Sequence, residues 1–220
     1  MRLLLLNGNA NRAMTEQMAR RAGELLDGRG EVVTDTAHRS VAYVESRRDA
    51  ALSGAAVVEL AERHLASGER TADAVVLACF GEPGMAAVRE FSPVPVVGML
   101  EASVISALQL GSRFSIITPG RRWPRMIDDM LHELGATRRC LAVEAVEVAD
   151  LRLPEQRDEA RHRVQAVVER QHQSLEPDVI IIGGAAFVGM GRELPGYPGC
   201  RLVDSLDAAL LQAQVLMELG

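Results

Sequence analysis

ADAVVLACFGEPG, residues 72–84, is the stretch of sequence from which the organisation of the chain follows. Residues 75–77 form a β-branched and apolar run too short for a helix, which is typical of a strand buried on both faces of a parallel sheet. The glycines and the proline that follow end this strand, and a helix is predicted over residues 85–91. Cys79 therefore lies where a strand ends and backbone N–H groups converge, an arrangement that lowers the pKa of a thiol and lets it act as a base.

A second stretch, PDVIIIGGAAF at residues 177–187, repeats the first. Asp178 is followed six residues later by Gly184, just as Asp73 is followed six residues later by Cys79, and an apolar run fills each interval. The repeat therefore pairs Gly184 with Cys79.

The segments around these stretches repeat as well. LLLLN at residues 3–7 and FSIIT at residues 114–118 open the two halves, and each half closes with a short strand and an apolar-periodic helix. A repeat of this length predicts an α/β fold of two pseudo-symmetric lobes, each a mainly parallel sheet flanked by helices, with the active site in the cleft between them. The lobes are expected to comprise residues 1–98 plus 205–220, with Cys79, and residues 99–204, with Gly184.

The composition limits the classes of function. The chain has 220 residues, 48% of them hydrophobic, and a formal net charge of -6. It has no basic stripe for nucleic acid, and no apolar run approaches the roughly 18 residues that a membrane span needs. Three cysteines without tight pairing predict a reducing, cytoplasmic location without disulfides. A small molecule is the expected partner, and a homo-oligomer is a state that the sequence leaves open.

No cofactor is predicted. Gly8 lacks the later glycines of a dinucleotide fingerprint, and no lysine follows it as in a nucleotide triphosphate loop. No cluster of histidine, cysteine and acidic residues has the spacing of a metal site.

The loop NGNAN, residues 7–11, follows the first strand and should share the ligand-binding edge of its sheet with Cys79. An ordinary turn explains these asparagines equally well. The next helix is expected to be capped by Thr15 and to be ended by Gly28 with Gly30. Thr118 stands at the corresponding strand end of the second half and is a candidate ligand donor.

Other segments receive plainer interpretations. Residues 35–46 are long enough for a flap, although His38 alone is better explained as a solvated side chain. A helix over residues 49–66 is expected to turn Leu52 inward and His64 toward solvent. The charged helix at residues 154–175 should present a solvated face, and residues 191–199 should form a loop. Cys140 and Cys200 lie at the amino ends of their strands and are interpreted as structural.

Several segments together resemble the hydantoin racemase branch of the aspartate/glutamate racemase superfamily. They are NGNANRAMT from Asn7, YVESRRD from Tyr43, ACFGEPGMAAVRE from Ala78, PVVGMLEAS from Pro95, and the second-half pair FSIITPG and DVIIIGG. The resemblance covers the whole chain, and ACFGEPG is its most specific part. It implies a racemase independent of PLP and other cofactors, in which two cysteines, one from each lobe, flank the substrate Cα from opposite faces. Cys79 matches the first of them.

Gly184 stands where the family pattern places the second cysteine. Racemisation removes a proton from one face of a planar carbanion and returns one to the other, and glycine offers no acid or base for that step. Three interpretations remain. The favoured one is an isomerase in which water, Glu82, His38 or another flap residue serves the face opposite Cys79. The second is a single-cysteine decarboxylase of a substituted malonate, resembling arylmalonate decarboxylases, and the third is a ligand-binding homologue without turnover.

The predicted site combines one catalytic group with a cradle for a carboxylate or imide oxygen. Cys79 is the acid/base, and the substrate contacts are Asn9, Thr118 and the backbone of Phe80, Gly81, Gly184 and Ala185. Neither strand end offers a lysine or arginine, which favours a neutral or monoanionic ring over a dianion. Phe80 and Phe187 at the two strand ends indicate either an apolar substituent on the substrate or core packing.

Overall fold

The computed structural model describes residues 1–65, 71–147 and 154–219. Contacts divide the chain into two compact units, one of Met1–Ala102 with Leu206–Gly220 and one of Ser103–Ser205. Within the described residues each unit contains one four-stranded parallel sheet with helices around it, which confirms the predicted α/β class.

The first unit alternates strands and helices. In chain order these elements are β1 (Arg2–Asn7), α1 (Arg12–Leu26), β2 (Glu31–Thr36), α2 (Arg47–Leu65), β3 (Ala74–Leu77), α3 (Met85–Phe91), β4 (Val96–Gly98) and α4 (Met99–Leu110). The boundary between the units falls inside α4, after Ala102.

The second unit repeats the alternation. Its elements are β5 (Phe114–Pro119), α5 (Trp123–Glu133), β6 (Cys140–Val146), α6 (Pro154–Leu175), β7 (Val179–Ile182), α7 (Met190–Glu193) and β8 (Arg201–Asp204), with short 3-10 turns at Thr137–Arg139 and Ala185–Phe187. The helix α8 (Ser205–Leu219) follows, and from Leu206 onward it belongs to the first unit.

The two sheets have the same strand order, β2-β1-β3-β4 and β6-β5-β7-β8. The last residues of β3 and β7 pair with Gly98 and Asp204, respectively. Cys79 and Gly184 each lie two residues beyond the end of their strand. The register therefore makes Gly184 the positional equivalent of Cys79, as the internal repeat in the sequence predicts. It also makes Asp204 the positional equivalent of Gly98.

Each unit builds its own hydrophobic core around its central strands. All four residues of β3 and all four of β7 are buried, because helices cover both faces of a parallel sheet. In the first unit, side chains of β1, β3 and α2 pack together, including Leu4, Val57, Leu60 and Val75. In the second unit the corresponding cluster includes Ile117, Val164, Ile180 and Phe187.

The cap of α1 differs from the prediction. Asn11, not Thr15, is the N-cap, and its side chain accepts a hydrogen bond from the Met14 N–H at 3.1 Å. Thr15 lies within the helix and is buried, and its hydroxyl instead contacts Asn7 Nδ2 at 2.9 Å and Thr36 Oγ1 at 2.8 Å. The Thr15 hydroxyl therefore bonds to buried polar side chains beneath the start of the helix and does not cap the helix.

The buried face of α2 is rotated from the predicted one. Leu52 is exposed, and the small residues Ser53 and Gly54 are buried in its place. Ser53 Oγ donates to the Gly8 carbonyl at 2.7 Å, a close approach that a leucine would block. His64 is only partly exposed, because its Nε2 lies 2.9 Å from Asp35 Oδ2.

Two further points concern predicted boundaries. Residues 191–199 are not all loop, since α7 occupies their start. The predicted end of the second helix, Ala66, lies outside the described residues. None of the helices in the described ranges is long and apolar enough to cross a membrane.

Candidate active site

Cys79 lies in the turn after β3 and is 7% exposed. The backbone N–H groups of Gly81 and Glu82 hydrogen-bond to its thiol, as the convergence of N–H groups predicts. Burial nevertheless raises the pKa of the thiol from 9.0 to about 11, and the nearby charge of Glu82 acts in the same direction. The predicted lowering of this pKa is therefore wrong, because desolvation outweighs the two hydrogen bonds. The resting residue is a protonated thiol that can donate a proton.

Glycines allow the turn around Cys79 to pack closely. Gly84 has a φ of 82°, and a Cβ there would lie 2.8 Å from the Gly54 carbonyl oxygen of α2. Only glycine fits both the left-handed backbone and this contact. This contact packs the turn against α2 just before α3 begins, and it thereby holds the backbone of Cys79 in place.

Glu82 is buried in the same turn, with 7% of its surface exposed. Its Oε1 accepts the Glu101 N–H at 2.8 Å, at the start of α4, and the Leu100 N–H also hydrogen-bonds to the carboxylate. Gly98 leaves room for this carboxyl group, because a Cβ at that position would lie 2.2 Å from it. Burial raises the pKa of Glu82 from 4.5 to about 7.

Glu82→Gln is expected to change how the free energy of unfolding depends on pH. The raised pKa of Glu82 means that the folded state keeps a proton that the unfolded chain has released, so this contribution to stability is complete below about pH 4.5 and is lost as the pH rises through about 7. The wild type should lose about 3 kcal/mol relative to the glutamine variant over that interval. Denaturant unfolding of the wild type and of Glu82→Gln at several pH values from about 4.5 to about 7 measures this difference in the free energy of unfolding.

Glu90→Gln is the matched control, because Glu90 is exposed and its substitution removes the same charge from the neighbouring helix α3. Its unfolding free energy should run parallel to that of the wild type. A difference between wild type and Glu82→Gln that does not vary with pH would contradict the buried titration of Glu82.

The asparagine loop after β1 is a hydrogen-bonded network. Asn9 is buried, and its Oδ1 accepts from Asn7 Nδ2 at 3.1 Å and from the Asn11 N–H at 2.8 Å. Its Nδ2 faces Met14 Sδ at 3.5 Å, a weak acceptor. The amide of Asn9 is thus oriented by its oxygen, while its N–H₂ group retains the capacity to donate to a ligand oxygen.

The predicted flap at residues 35–46 begins inside β2 and is tied to the asparagine loop. The Ala10 N–H donates to the Val41 carbonyl at 2.8 Å, and Asn11 Nδ2 donates to the Tyr43 hydroxyl at 2.9 Å. His38 is exposed, in line with the solvated interpretation. Tyr43 is 43% exposed, so its ring stands at the surface beside this loop.

In the second unit, Thr118 and Gly184 lie together. Thr118 is buried at the end of β5, and its Oγ1 is 4.0 Å from the place that a Cβ on Gly184 would occupy. Gly184 has a φ of 106°, which side chains rarely adopt, and such a Cβ would lie 2.7 Å from Pro119 Cδ. The Gly184 N–H donates to Ser205 Oγ at 3.2 Å, so this N–H already has a hydrogen-bond acceptor within the protein.

Ser205 was missed from the sequence, and Asn7 was predicted only as a member of the polar loop. Ser205 follows β8 directly and is buried, and the rule that ligand-side groups follow strand ends could have found it. Asn7 is fully buried, and its side chain organises the loop through Asn9 and Thr15. Phe187 is also fully buried in the core of the second unit, which favours packing over contact with a substrate.

The other cysteines lie at the opposite ends of their strands. Cys140 is the first residue of β6 and Cys200 directly precedes β8, as predicted. All three cysteines of the chain are free. Burial raises the pKa of both Cys140 and Cys200, which suits inert thiols.

Comparison with known proteins places these residues in a family. Residues 3–213 match the family model described as Asp/Glu/Hydantoin racemase. The chain belongs to this family. It is 30% identical to a hydantoin racemase of Paenarthrobacter aurescens, over 100% of the chain and 92% of that protein.

Solved racemase structures have the same fold. An allantoin racemase from Klebsiella pneumoniae superposes with a TM-score of 0.91 at 27% identity, over 100% of this chain and 89% of that one. An allantoin racemase from Pseudomonas fluorescens gives 0.90 at 29% identity, over 100% and 92%. An arylmalonate decarboxylase variant, with a TM-score of 0.59 at 17% identity over 100% and 94%, shares the fold alone.

The racemase is accordingly an isomerase, and each of its units presents its own set of candidate residues. In the first unit Asn9 and Cys79 follow the neighbouring strands β1 and β3 at the same edge of the sheet. In the second, Thr118 lies near the carboxyl end of β5 and Gly184 follows the neighbouring strand β7. Phe80 is buried beside Cys79, while Gly81 and Ala185 are partly exposed in their turns.

Proposed function

We propose that this racemase inverts the Cα configuration of 5-substituted hydantoin-like rings without a cofactor, with Cys79 as the acid/base. The observation that supports it most is the buried Cys79 thiol in a fixed turn at a strand end, in a chain related to hydantoin and allantoin racemases. A hydantoin Cα–H lies next to a ring carbonyl and is already acidic, so a single well-placed thiol contributes a useful base.

The proposed step is a proton transfer at carbon. The Cys79 thiolate takes the Cα proton, the C–H electron pair moves into the adjacent carbonyl, and an enolate forms. Its oxygen is stabilised by hydrogen-bond donors, for which the Asn9 N–H₂ group, the Thr118 hydroxyl and turn N–H groups are the candidates. A proton returned to the other face completes the inversion. In the reverse direction Cys79 starts as the protonated thiol, the form that its raised pKa favours, and returns its proton to the enolate carbon.

Water is the favoured donor for the face opposite Cys79. Gly184 supplies no titratable group, and the Glu82 carboxylate is engaged by the first N–H groups of α4. His38 remains an alternative, because its ring is exposed on the loop beside Asn11.

The test is proton NMR in D₂O of enantiopure hydantoins, including allantoin and an aromatic 5-substituted hydantoin, with optical rotation followed in parallel. Loss of the Cα–H signal together with decay of rotation, above the rate without enzyme, is the expected result. Exchange without loss of rotation would indicate a one-sided base and overturn the racemase proposal. Absence of exchange across the panel would also overturn it, and release of CO₂ from a substituted malonate would then favour the decarboxylase.

A further inference from the structure

The backbone of Glu82 is strained in a way that helix ends do not explain. Its φ is 49°, and the other described non-glycine residues with positive φ, Asp27 and Glu176, directly follow α1 and α6. Glu82 instead lies inside the Cys79 turn, where its N–H donates to the Cys79 carbonyl at 2.9 Å. A left-handed conformation at a residue other than glycine is strained and persists only where the surroundings hold it.

The start of α4 holds the Glu82 carboxyl group by hydrogen bonds, and α3 contributes only a nearby charge. The Leu100 and Glu101 N–H groups of α4 hydrogen-bond to it, and a helix N-terminus stabilises an anion. Among the described residues, the charged groups that act on it are Glu101 on α4 and Arg89 on α3. Arg89 itself donates to Glu101 at 2.5 Å, so it only partly compensates a charge on Glu82.

Cys79 and Glu82 are therefore two acids in one desolvated turn. The charge of Glu82 opposes ionisation of the thiol, and both groups lie where water is largely excluded. A negative charge near a thiol disfavours the thiolate, so ionisation of Glu82 is expected to make ionisation of Cys79 harder.

We propose that Glu82 is a positioning residue that adds to the effect of burial on Cys79: the ionised Glu82 carboxylate, held over Gly98 by the N-terminus of α4, further disfavours the thiolate. The link to catalysis rests on the function proposed above, since a protonated Cys79 is the form that returns a proton to the enolate. The link to the thiol itself does not depend on any substrate.

The experiment measures ionisation of the Cys79 thiol directly. Alkylation of Cys79 by iodoacetamide is followed against pH by mass spectrometry of the Cys79 peptide, in the wild type and in Glu82→Gln, Glu82→Asp and Glu90→Gln. Glutamine removes the charge but keeps an oxygen that accepts the α4 N–H groups. Glu82→Gln should alkylate about three to ten times faster near pH 8, with its midpoint at lower pH, because a thiol pKa lower by one gives a tenfold larger thiolate fraction.

The control variants define the contrary outcome. Glu82→Asp keeps the charge and Glu90→Gln removes a charge at an exposed position, so both should follow the wild-type curve. An unchanged or higher midpoint in Glu82→Gln would overturn the proposal. So would a faster reaction in Glu90→Gln of the same size, since it would reduce the effect to net charge.

A measurement on the wild type alone keeps the proposal testable if a variant does not fold. Its logarithm of alkylation rate against pH should rise, flatten near the pKa of Glu82 at about 7, and rise again. A single straight rise would contradict the coupling. If no hydantoin exchanges its Cα–H but the alkylation curve has two rises, only the proposed substrate is overturned. If a hydantoin exchanges and the alkylation curve is a single straight rise, only the proposed role of Glu82 is overturned.

Discussion

A Cys79→Ser variant is expected to lose turnover of the hydantoin substrate by a factor of about 10² to 10⁴ in kcat. A serine hydroxyl nearly matches the thiol in size, so the turn after β3 should keep its fold. It does not ionise in the range where a thiol does, and it therefore cannot accept the Cα proton. Initial rates of deuterium exchange and of optical rotation, compared with the wild type, measure the loss.

Cys140→Ser and Cys200→Ser are the matched controls for this loss. Both thiols lie at the amino ends of strands of the second unit, whereas ligand-side groups follow the carboxyl ends, and both variants should keep wild-type rates. Full activity in a folded Cys79→Ser protein would remove the thiol from the mechanism, whichever substrate is used.

Gly184→Cys is expected to have two opposite effects. A thiol at the position equivalent to Cys79 offers the second acid/base that racemisation needs, and should accelerate inversion about tenfold or more. The φ of 106° and a Cβ only 2.7 Å from Pro119 Cδ should at the same time lower stability by about 1 to 3 kcal/mol. The single variant should therefore show a reduced Tm, and its kinetics are to be read only from folded protein.

Removing the obstacle separates the two effects. Pro119→Ala deletes the ring atoms that a Cβ at 184 would meet, so the double variant Pro119→Ala/Gly184→Cys should recover part of the stability and show the gain in racemisation. Pro119→Ala/Gly184→Ser, which has a side chain of nearly the same size but no thiol, should recover the same stability without the faster racemisation. Equal rates in the two double variants would refute the idea that a group at position 184 serves the second face.

Long apolar runs made much of the fold predictable. The strands β3 and β7 are buried on both faces, so their sequences are continuous apolar runs, and the matched spacing to Cys79 and Gly184 exposed the repeat. The helices α3 and α6 begin and end at the predicted residues, because a proline or glycine marks each start. These features depend on local sequence alone.

Features that depend on distant residues were not predictable in this way. The cap of α1 moved to Asn11 because Thr15 bonds to Asn7 and Thr36, which come from other strands. The pKa of Cys79 rises because the folded chain excludes water from it, and a turn pattern contains no measure of desolvation. The engagement of the Gly184 N–H by Ser205 likewise joins two strand ends that are remote in sequence.

Gly98 and Asp204 occupy equivalent positions in the two sheets, but only Asp204 carries a carboxyl group. Both residues pair with the end of the neighbouring strand, one in each sheet. In the second unit the strand itself provides the acid, and Asp204 Oδ2 accepts the Gly189 N–H at 2.7 Å. In the first unit the equivalent residue is Gly98, and the carboxyl group of Glu82, from the turn after β3, occupies the space that a Cβ on Gly98 would need. Each unit thus has a carboxyl group at the strand position that pairs with the end of β3 or β7. In the second unit β8 supplies it, and in the first unit the turn that contains Cys79 supplies it.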